Sequence, residues 1–158
     1  MIAVGDTLPP ITFTRLTADG METVDNGYFA GRTVVLFAVP GAFTPTCSQA
    51  HLPGYVVLAD KLKAGGVDAI ACVAVNDAFV MKAWGDSQNA DAIDMLADGD
   101  GSVHKALGLS METGSFGGTR AQRYAMVIKD NVVTLLNVEA PKAFEVSDAE
   151  TVLKALNL

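Results

Sequence analysis

The sequence is poor in cysteine and in basic residues, and both shortages exclude whole classes of protein. Two cysteines, Cys47 and Cys72, stand among 158 residues, which is too few for a secreted scaffold held together by disulfide bonds. Lys and Arg number 11 against 18 Asp and Glu, so the formal net charge is -7. Because binding to phosphate backbones and to anionic membranes is driven largely by Lys and Arg, we expect neither nucleic acid nor a membrane as a partner.

Long apolar runs are also missing. No stretch approaches the roughly 18 consecutive apolar residues that a transmembrane helix requires. The opening residues MIAVGDTLPP lack the basic segment and the apolar segment of a secretory signal, so we expect a cytoplasmic protein. The Gly-rich segments contain no phosphate-binding loop and no GxGxxG fingerprint, and the Cys and His residues lack zinc-ligand spacing. We therefore expect no cofactor and no metal.

Half of the residues are apolar, which in a chain of this length suffices for the core of one domain. We expect a single domain over residues 1–158. Two nearly continuous apolar runs, 33–39 and 68–75, are rich in β-branched residues and typical of strands buried on both faces. A helical pattern at 45–64 lies between them. This order predicts an α/β fold with a central mixed β-sheet flanked by helices on both faces.

Caps and turn signals locate the remaining elements. Asp77 precedes the helical pattern AFVMKAW and is expected to cap that helix. Two apolar runs around residues 129–131 predict an antiparallel hairpin. Near the C terminus, Ser147 and Glu150 have the spacing of a capping box, which predicts a last helix that begins at Ser147 and packs on the sheet.

The segment PGAFTPTC, residues 40–47, joins the first buried strand to the helix that follows. If Thr44 is the N-cap, Pro45 falls at the first helical position, where its missing N–H costs nothing, and Cys47 falls at the third. The free N–H groups and the positive end of the helix dipole favour a thiolate there, so Cys47 is a candidate nucleophile. The alternative is a small buried cysteine beside an ordinary helix start, since free cysteine is among the most buried residue types.

Two further residues of this helix carry weaker signals. Pro53 removes the N–H that would bond the carbonyl of Gln49, which predicts a kink about two turns from the thiol. His51 lies one turn beyond Cys47 and suggests a Cys-His nucleophile pair. A hydrolase also needs an orienting third group and an oxyanion hole, and the sequence reveals neither, so this pair remains a minor alternative.

Pro40, Thr44 and Cys47 have the spacing P-x-x-x-T-x-x-C directly after an apolar strand, which resembles the active-site signature of the peroxiredoxins. The segments FTPTCSQAHLPGYV, CVAVNDAFVMKAWG, RAQRYAMVI and LNVEA are similar to successive landmarks of the type II, or peroxiredoxin-5, group over most of the chain. The resemblance implies a thioredoxin-like fold with an N-terminal extension. It also implies a thiol peroxidase that reduces hydrogen peroxide and alkyl hydroperoxides in antioxidant defence and redox homeostasis.

The same resemblance assigns roles to the site residues. Cys47 is implied to be the peroxidatic cysteine, which becomes a sulfenic acid when it attacks a peroxide oxygen. Thr44 is implied to hydrogen-bond the peroxide, and Pro40 to close the pocket and keep water away from the thiolate. The catalytic arginine of the family precedes an aromatic residue at the start of a late strand, which selects Arg123 in RYAMVI and leaves Arg120 as the second choice.

The role of Cys72 stays open in the sequence. It lies in the apolar run AIACVAV, where an inert core cysteine is one interpretation, while its position resembles the resolving cysteine of plant type II members. An inert Cys72 leaves glutathione or a glutaredoxin to recycle Cys47. A resolving Cys72 favours thioredoxin and requires local unfolding, because a thiol at the centre of a strand and one at a helix start are expected to lie beyond disulfide reach.

The resemblance also implies a homodimer, with Phe43 and Phe116 near its pocket or its contact surface, although either ring also suits a core. One alternative function keeps the same fold. A redox-sensitive holdase would bind client proteins through its surface, and it would keep that binding without Cys47.

Overall fold

The computed structural model describes residues 1–158. Its nine strands are β1 Thr12–Thr17, β2 Gly20–Asp25, β3 Thr33–Ala38, β4 Ala69–Ala74, β5 Asp94–Ala97, β6 Ser110–Glu112, β7 Thr119–Ala121, β8 Tyr124–Lys129 and β9 Val132–Val138. Its α-helices are α1 Leu52–Ala64, α2 Ala78–Ser87, α3 Ser102–Leu107 and α4 Ala149–Ala155. Seven strands form one sheet in the order β2-β1-β5-β4-β3-β8-β9, and β6 pairs with β7.

The two continuous apolar runs form β3 and β4 at the middle of the sheet. These strands run parallel to each other, and β4 also runs parallel to β5, while β8 joins β3 in the antiparallel direction. All six residues of β4 are buried. Phe37 and Cys72, which are paired across β3 and β4, contribute to the core on one face of the sheet, and Leu36 and Val73 contribute to the core on the other.

Helices cover both faces of the sheet. Side chains from α1, α2 and α4, among them Tyr55, Trp84 and Val152, pack on the face that carries Cys72. The opposite face is covered by α3 through Val103 and by the N-terminal segment through Ile11. The predicted α/β fold, a mixed sheet flanked by helices on both faces, is confirmed. None of the helices is both long enough and apolar enough to span a membrane.

Two local predictions are confirmed. The Asp77 carboxylate accepts a hydrogen bond from the N–H of Val80 at 2.8 Å and caps α2. The hairpin between β8 and β9 turns at Asp130 and Asn131, whose φ angles are +49° and +64°. Left-handed backbone at both central residues gives a two-residue turn the twist of its flanking strands, and Asp and Asn tolerate that conformation better than most residues.

The capping box predicted at Ser147 is wrong by one residue. Asp148 is the N-cap of α4, and its carboxylate accepts from the N–H of Thr151 at 3.1 Å. The Ser147 hydroxyl instead donates to the carboxylate of Glu139 at 2.6 Å. A distant partner has therefore taken the side chain that the local pattern assigned to the cap.

The packing of Phe37 gives a test of this core. Its ring is wholly buried and stacks on Tyr55 with the ring centroids 3.9 Å apart. We expect Phe37→Ala to lower the free energy of unfolding by about 3–5 kcal/mol, because it removes a large buried side chain and leaves a cavity. Urea denaturation measures this loss.

Phe79 supplies the matched control. Phe79 lies on α2 and its side chain is 63% exposed. Phe79→Ala should therefore change the free energy of unfolding by no more than about 0.5 kcal/mol. Equal losses in the two variants would contradict this description of the core.

Candidate active site

The site begins where β3 ends and the chain turns into a helix. The Thr44 hydroxyl donates to the carbonyl of Gly41 at 2.7 Å and closes the loop. Within that loop, Phe43 has a φ of +64°, which is strained for a bulky side chain. The N–H of Ser48 donates to the Thr44 carbonyl at 2.9 Å. The helix therefore starts directly after Thr44 and Cys47 lies in its first turn, as the sequence predicted, although the Thr44 side chain does not cap it.

The first part of this helix is π-helical from Cys47 to His51, and the N–H of Leu52 donates to the carbonyl of Cys47. Single π turns are frequent at functional sites. Both Cys47 and His51 are wholly buried against the sheet. Pro53 follows within the first turn of α1, where a missing N–H is tolerated. The π-helical segment ends two residues before Pro53, and the kink expected at Pro53 stays a prediction.

The antiparallel pairing of β8 with β3 brings Arg123 to the thiol. Tyr124, the first residue of β8, pairs with Ala38 at the end of β3, so the residue before it lies beside the loop that carries Cys47. The Arg123 guanidinium donates from Nη2 to the Cys47 Sγ, with the two atoms 3.1 Å apart. A guanidinium is always charged and its hydrogen bonds to anions are strong. The contact therefore places a fixed positive charge beside the sulfur of Cys47, and the thiolate is the reactive form of a cysteine.

His51 holds the other side of the guanidinium. Arg123 Nη1 lies 2.8 Å from His51 Nδ1, and His51 Nε2 lies 3.0 Å from the carbonyl oxygen of Ser147. Since the guanidinium only donates and the carbonyl only accepts, these partners assign the neutral imidazole with its proton on Nε2. Burial, followed by the Arg123 charge, lowers the pKa of His51 to about 3. The ring is therefore an uncharged acceptor at neutral pH.

This role of His51 was missed in the sequence. There His51 was considered only as the base of a Cys-His pair, whereas the structure places its Nδ1 against Arg123. Its position four residues after Cys47 was the available signal, because residues at that spacing share one face of a helix. The arginine that contacts both residues precedes β8 and lies more than 70 residues later in the chain.

The second arginine lies near Gly41 of the same loop, but its guanidinium has other partners. Arg120 donates from Nη1 to the carbonyl of Val75 at 3.2 Å, and its guanidinium packs so closely on Gly117 that a Cβ there would lie 2.5 Å from Nε. Arg123, the first choice in the sequence, is the arginine that contacts the Cys47 sulfur.

Cys72 is placed at the centre of β4, opposite Phe37 on β3. It is wholly buried, and neither cysteine is in a disulfide. Burial raises the pKa of the Cys72 thiol well above its ordinary value, the neighbouring Cys47 raises it further, and Arg123 acts in the opposite direction. Cys72 is therefore a protonated thiol at neutral pH and a poor nucleophile.

A cleft of about 700 Å³ opens beside Arg123. Its lining includes the apolar side chains of Pro40, Met111 and Phe116 and the segment 139–143. Phe116 is 81% exposed. Cys47 itself is covered, so the cleft leads to the guanidinium and the sulfur lies behind it.

The comparisons with known proteins agree with this site. The sequence profile of the Redoxin family matches residues 3–153. The chain is 52% identical to Peroxiredoxin-2E-2, chloroplastic, of Oryza sativa subsp. japonica over 98% of its length and 72% of the relative's. It is 45% identical to Peroxiredoxin-2B of Arabidopsis thaliana over 98% of both chains. The chain belongs to the peroxiredoxins, within the Redoxin family.

Solved structures support the same assignment. Reduced Prx3 from Vibrio vulnificus in complex with h2o2 has a TM-score of 0.98 and 68% identity to this peroxiredoxin, and the match covers 99% of each chain. Peroxiredoxin 5 from Alvinella pompejana has a TM-score of 0.87 and 35% identity, again over 99% of each chain. The family and the thioredoxin-like fold that the sequence predicted are confirmed, and the enzyme is a thiol peroxidase.

The low pKa of His51 links folding to pH. His51 becomes protonated below about pH 6.5 in the unfolded chain but only below about pH 3 in the folded peroxiredoxin. The unfolded state therefore binds more protons between these two pH values, and the free energy of unfolding falls as the pH drops from 6.5 to 3. We expect this residue to contribute a loss of about 2 kcal/mol between about pH 7 and pH 5. Urea denaturation at each pH measures it.

The control for this experiment is His51→Asn. The variant has no titrating group at this position, so its free energy of unfolding should fall less steeply over the same pH range. Identical slopes for the variant and the parent protein would contradict the assignment of a neutral His51.

Proposed function

We propose that Cys47 is the peroxidatic nucleophile and that Arg123 stabilises the charge that develops during the reaction. The observation that carries this proposal is the 3.1 Å contact between Arg123 Nη2 and Cys47 Sγ. The thiolate attacks one peroxide oxygen, the O–O bond breaks, and the departing oxygen takes a proton and leaves as water or an alcohol. Cys47 is oxidised to a sulfenic acid. Donors fixed beside a developing oxyanion are a large source of catalysis.

Thr44 and Pro40 complete the site in this proposal. The Thr44 hydroxyl proton is committed to the Gly41 carbonyl, so the lone pairs of its oxygen are free to accept the O–H of a peroxide. Pro40 lines the cleft beside Arg123. Its ring carries no N–H to hold water at that wall.

The cleft accommodates more than hydrogen peroxide. Its apolar lining by Pro40, Met111 and Phe116 suits an alkyl chain, so we propose alkyl hydroperoxides as substrates together with hydrogen peroxide. The Vibrio vulnificus relative is described in complex with h2o2, which supports the smaller substrate.

We propose that an external thiol, glutathione or a glutaredoxin, recycles the enzyme. Its thiolate attacks the Cys47 sulfenic acid, a mixed disulfide forms and water leaves, and a second thiol then releases Cys47 as the free thiol. The alternative, resolution by Cys72 followed by thioredoxin, requires a buried thiol at the centre of the sheet to reach Cys47. The cytoplasmic location expected from the sequence stays a prediction.

A trapping experiment tests both cysteines. Reduced protein is mixed with one equivalent of hydrogen peroxide, quenched with dimedone and weighed by intact mass spectrometry. We expect one adduct in the parent protein and in Cys72→Ser, and none in Cys47→Ser, because only Cys47 forms a sulfenic acid. Peroxide consumption should be lost in Cys47→Ser alone.

Two outcomes would contradict the proposal. Loss of two hydrogens in the parent protein, with an adduct only in Cys72→Ser, would show that Cys72 resolves Cys47 and would favour thioredoxin. Normal peroxide consumption by Cys47→Ser would remove Cys47 from the chemistry and would leave the holdase as the alternative.

We also propose a homodimer through the surface around the cleft. Phe43 and Phe116 are 57% and 81% exposed, and aromatic rings are enriched in protein interfaces. We expect Phe116→Ser to raise the dissociation constant of the dimer by at least about tenfold, measured by sedimentation equilibrium. Phe79→Ser, which changes an exposed aromatic residue of α2, should leave association unchanged, and a monomeric parent protein would refute the proposal.

A further inference from the structure

A carboxylate that no step of the reaction uses lines the cleft beside Arg123. Glu139 follows the last residue of β9 and is 8% exposed. Its carboxylate accepts from the N–H groups of Glu145, Val146 and Ser147 at 2.8–2.9 Å and from the Ser147 hydroxyl at 2.6 Å. Burial opposes its ionisation, but the bonds from Ser147 and from the other two N–H groups hold the pKa of Glu139 below its usual value.

These bonds determine where the Ser147 carbonyl lies. Glu139 ties the end of the segment 140–147 back to its beginning, which leaves the Ser147 carbonyl facing α1. There the carbonyl oxygen accepts from Tyr55 Oη at 2.8 Å and lies 3.0 Å from His51 Nε2. Since a carbonyl only accepts, it requires the proton of the His51 ring on Nε2.

The tautomer of His51 determines whether the Nδ1 atom that faces Arg123 carries a lone pair or a proton. With the proton on Nε2, the lone pair of Nδ1 faces Arg123 Nη1 at 2.8 Å and holds the guanidinium so that Nη2 reaches Cys47. The other tautomer would set one N–H against another and push the guanidinium away. Other charges near the ring are those of Glu139 and Asp148, which favour its protonation, and that of Arg123, which opposes it.

We propose that Glu139 is a positioning residue of the peroxidase: by holding the Ser147 carbonyl, it selects the His51 tautomer that orients Arg123 toward Cys47. The inference rests on the proposed role of Cys47 and Arg123. The hydrogen bonds run in series from Glu139 through Ser147, His51 and Arg123 to the sulfur. A second tie, from the Glu139 N–H to the Arg123 carbonyl at 2.9 Å, involves only the backbone and survives any change of the Glu139 side chain.

The test compares Glu139→Ala with Glu139→Gln. The glutamine retains one oxygen, and the Oε2 position of Glu139 receives the bonds from Val146 and from both donors of Ser147. We expect Glu139→Ala to slow the reaction of the reduced protein with hydrogen peroxide by at least about tenfold, because a small misplacement of a catalytic group costs one to two orders of magnitude. Glu139→Gln should retain the rate to within about threefold.

The rate is measured by stopped-flow fluorescence of Trp84, the only tryptophan, whose Nε1 donates to the Ser48 hydroxyl beside Cys47. Long-range ¹H–¹⁵N spectra report the His51 tautomer, with His51→Asn to assign the signals. The parent protein and Glu139→Gln should have the proton on Nε2, and Glu139→Ala should show a mixture.

Asn26→Ala is the control for lost stability. Asn26 also holds a loop through side-chain bonds to backbone, with Ile11 and Pro9 as partners, but it lies beside Asn131 at the opposite end of β8 and β9. We expect this variant to lose stability and to keep both the rate and the tautomer. Glu139→Ala is also combined with His51→Asn, and the double variant should react no more than about threefold more slowly than His51→Asn alone.

Three results would overturn the inference. The first is that Glu139→Ala reacts with peroxide as fast as the parent protein and has a single His51 tautomer. The second is that Asn26→Ala loses as much rate as Glu139→Ala. The third is that the losses of rate from Glu139→Ala and His51→Asn add fully in the double variant. If Glu139→Ala does not fold, the His51 tautomer and the rate of Glu139→Gln test the inference. A mixture of His51 tautomers in Glu139→Gln with an unchanged rate would show that the tautomer does not affect catalysis. Failure of the proposed function is seen separately, as absence of a dimedone adduct in the parent protein.

Discussion

The contact between the Arg123 guanidinium and the Cys47 sulfur is the interaction on which the rest of the site depends. Cys47 is wholly buried, and an isolated thiolate in apolar surroundings is strongly disfavoured. The guanidinium offsets that cost with a charge that does not titrate. His51 binds the same guanidinium as a neutral acceptor, so it holds the cation in place without adding a second positive charge or cancelling the first.

The topology of the sheet explains how residues so distant in sequence meet. β8 is antiparallel to both of its neighbours, β3 and β9, so its first residue pairs with the last residue of each, Ala38 and Val138. The segments that follow β3 and β9 and the residue that precedes β8 therefore share one edge of the sheet. Cys47 lies in the first of these segments and Glu139 in the second, with Arg123 between them. A rigid sheet edge gives such a set the positional precision that a free loop lacks.

Sequence reasoning succeeded where a local cause decides the structure. The continuous apolar runs predict β3 and β4 because strands buried on both faces need no alternation, and Asp77 caps α2 through a bond that spans three residues. It failed where the structure depends on a contact between residues that are distant in the sequence. Glu139 takes the hydroxyl of Ser147 and leaves the cap to Asp148, and the role of His51 exists only once β8 has placed Arg123 beside it. Such pairings carry no local periodicity, so one sequence does not reveal them.

The two cysteines differ in how many backbone hydrogen bonds must break before each can move to the surface. Cys47 lies in a π-helical turn that follows a strained residue, Phe43, and a helix start loses few bonds when it opens. Cys72 is bound on both sides, by β3 and by β5, in the interior of a seven-stranded sheet. Moving it to the surface would break ladder bonds to two strands, whereas moving Cys47 would open one helical turn. Opening the turn around Cys47 should therefore cost less free energy than freeing Cys72 from two strands, which supports the proposed reductant from outside the chain.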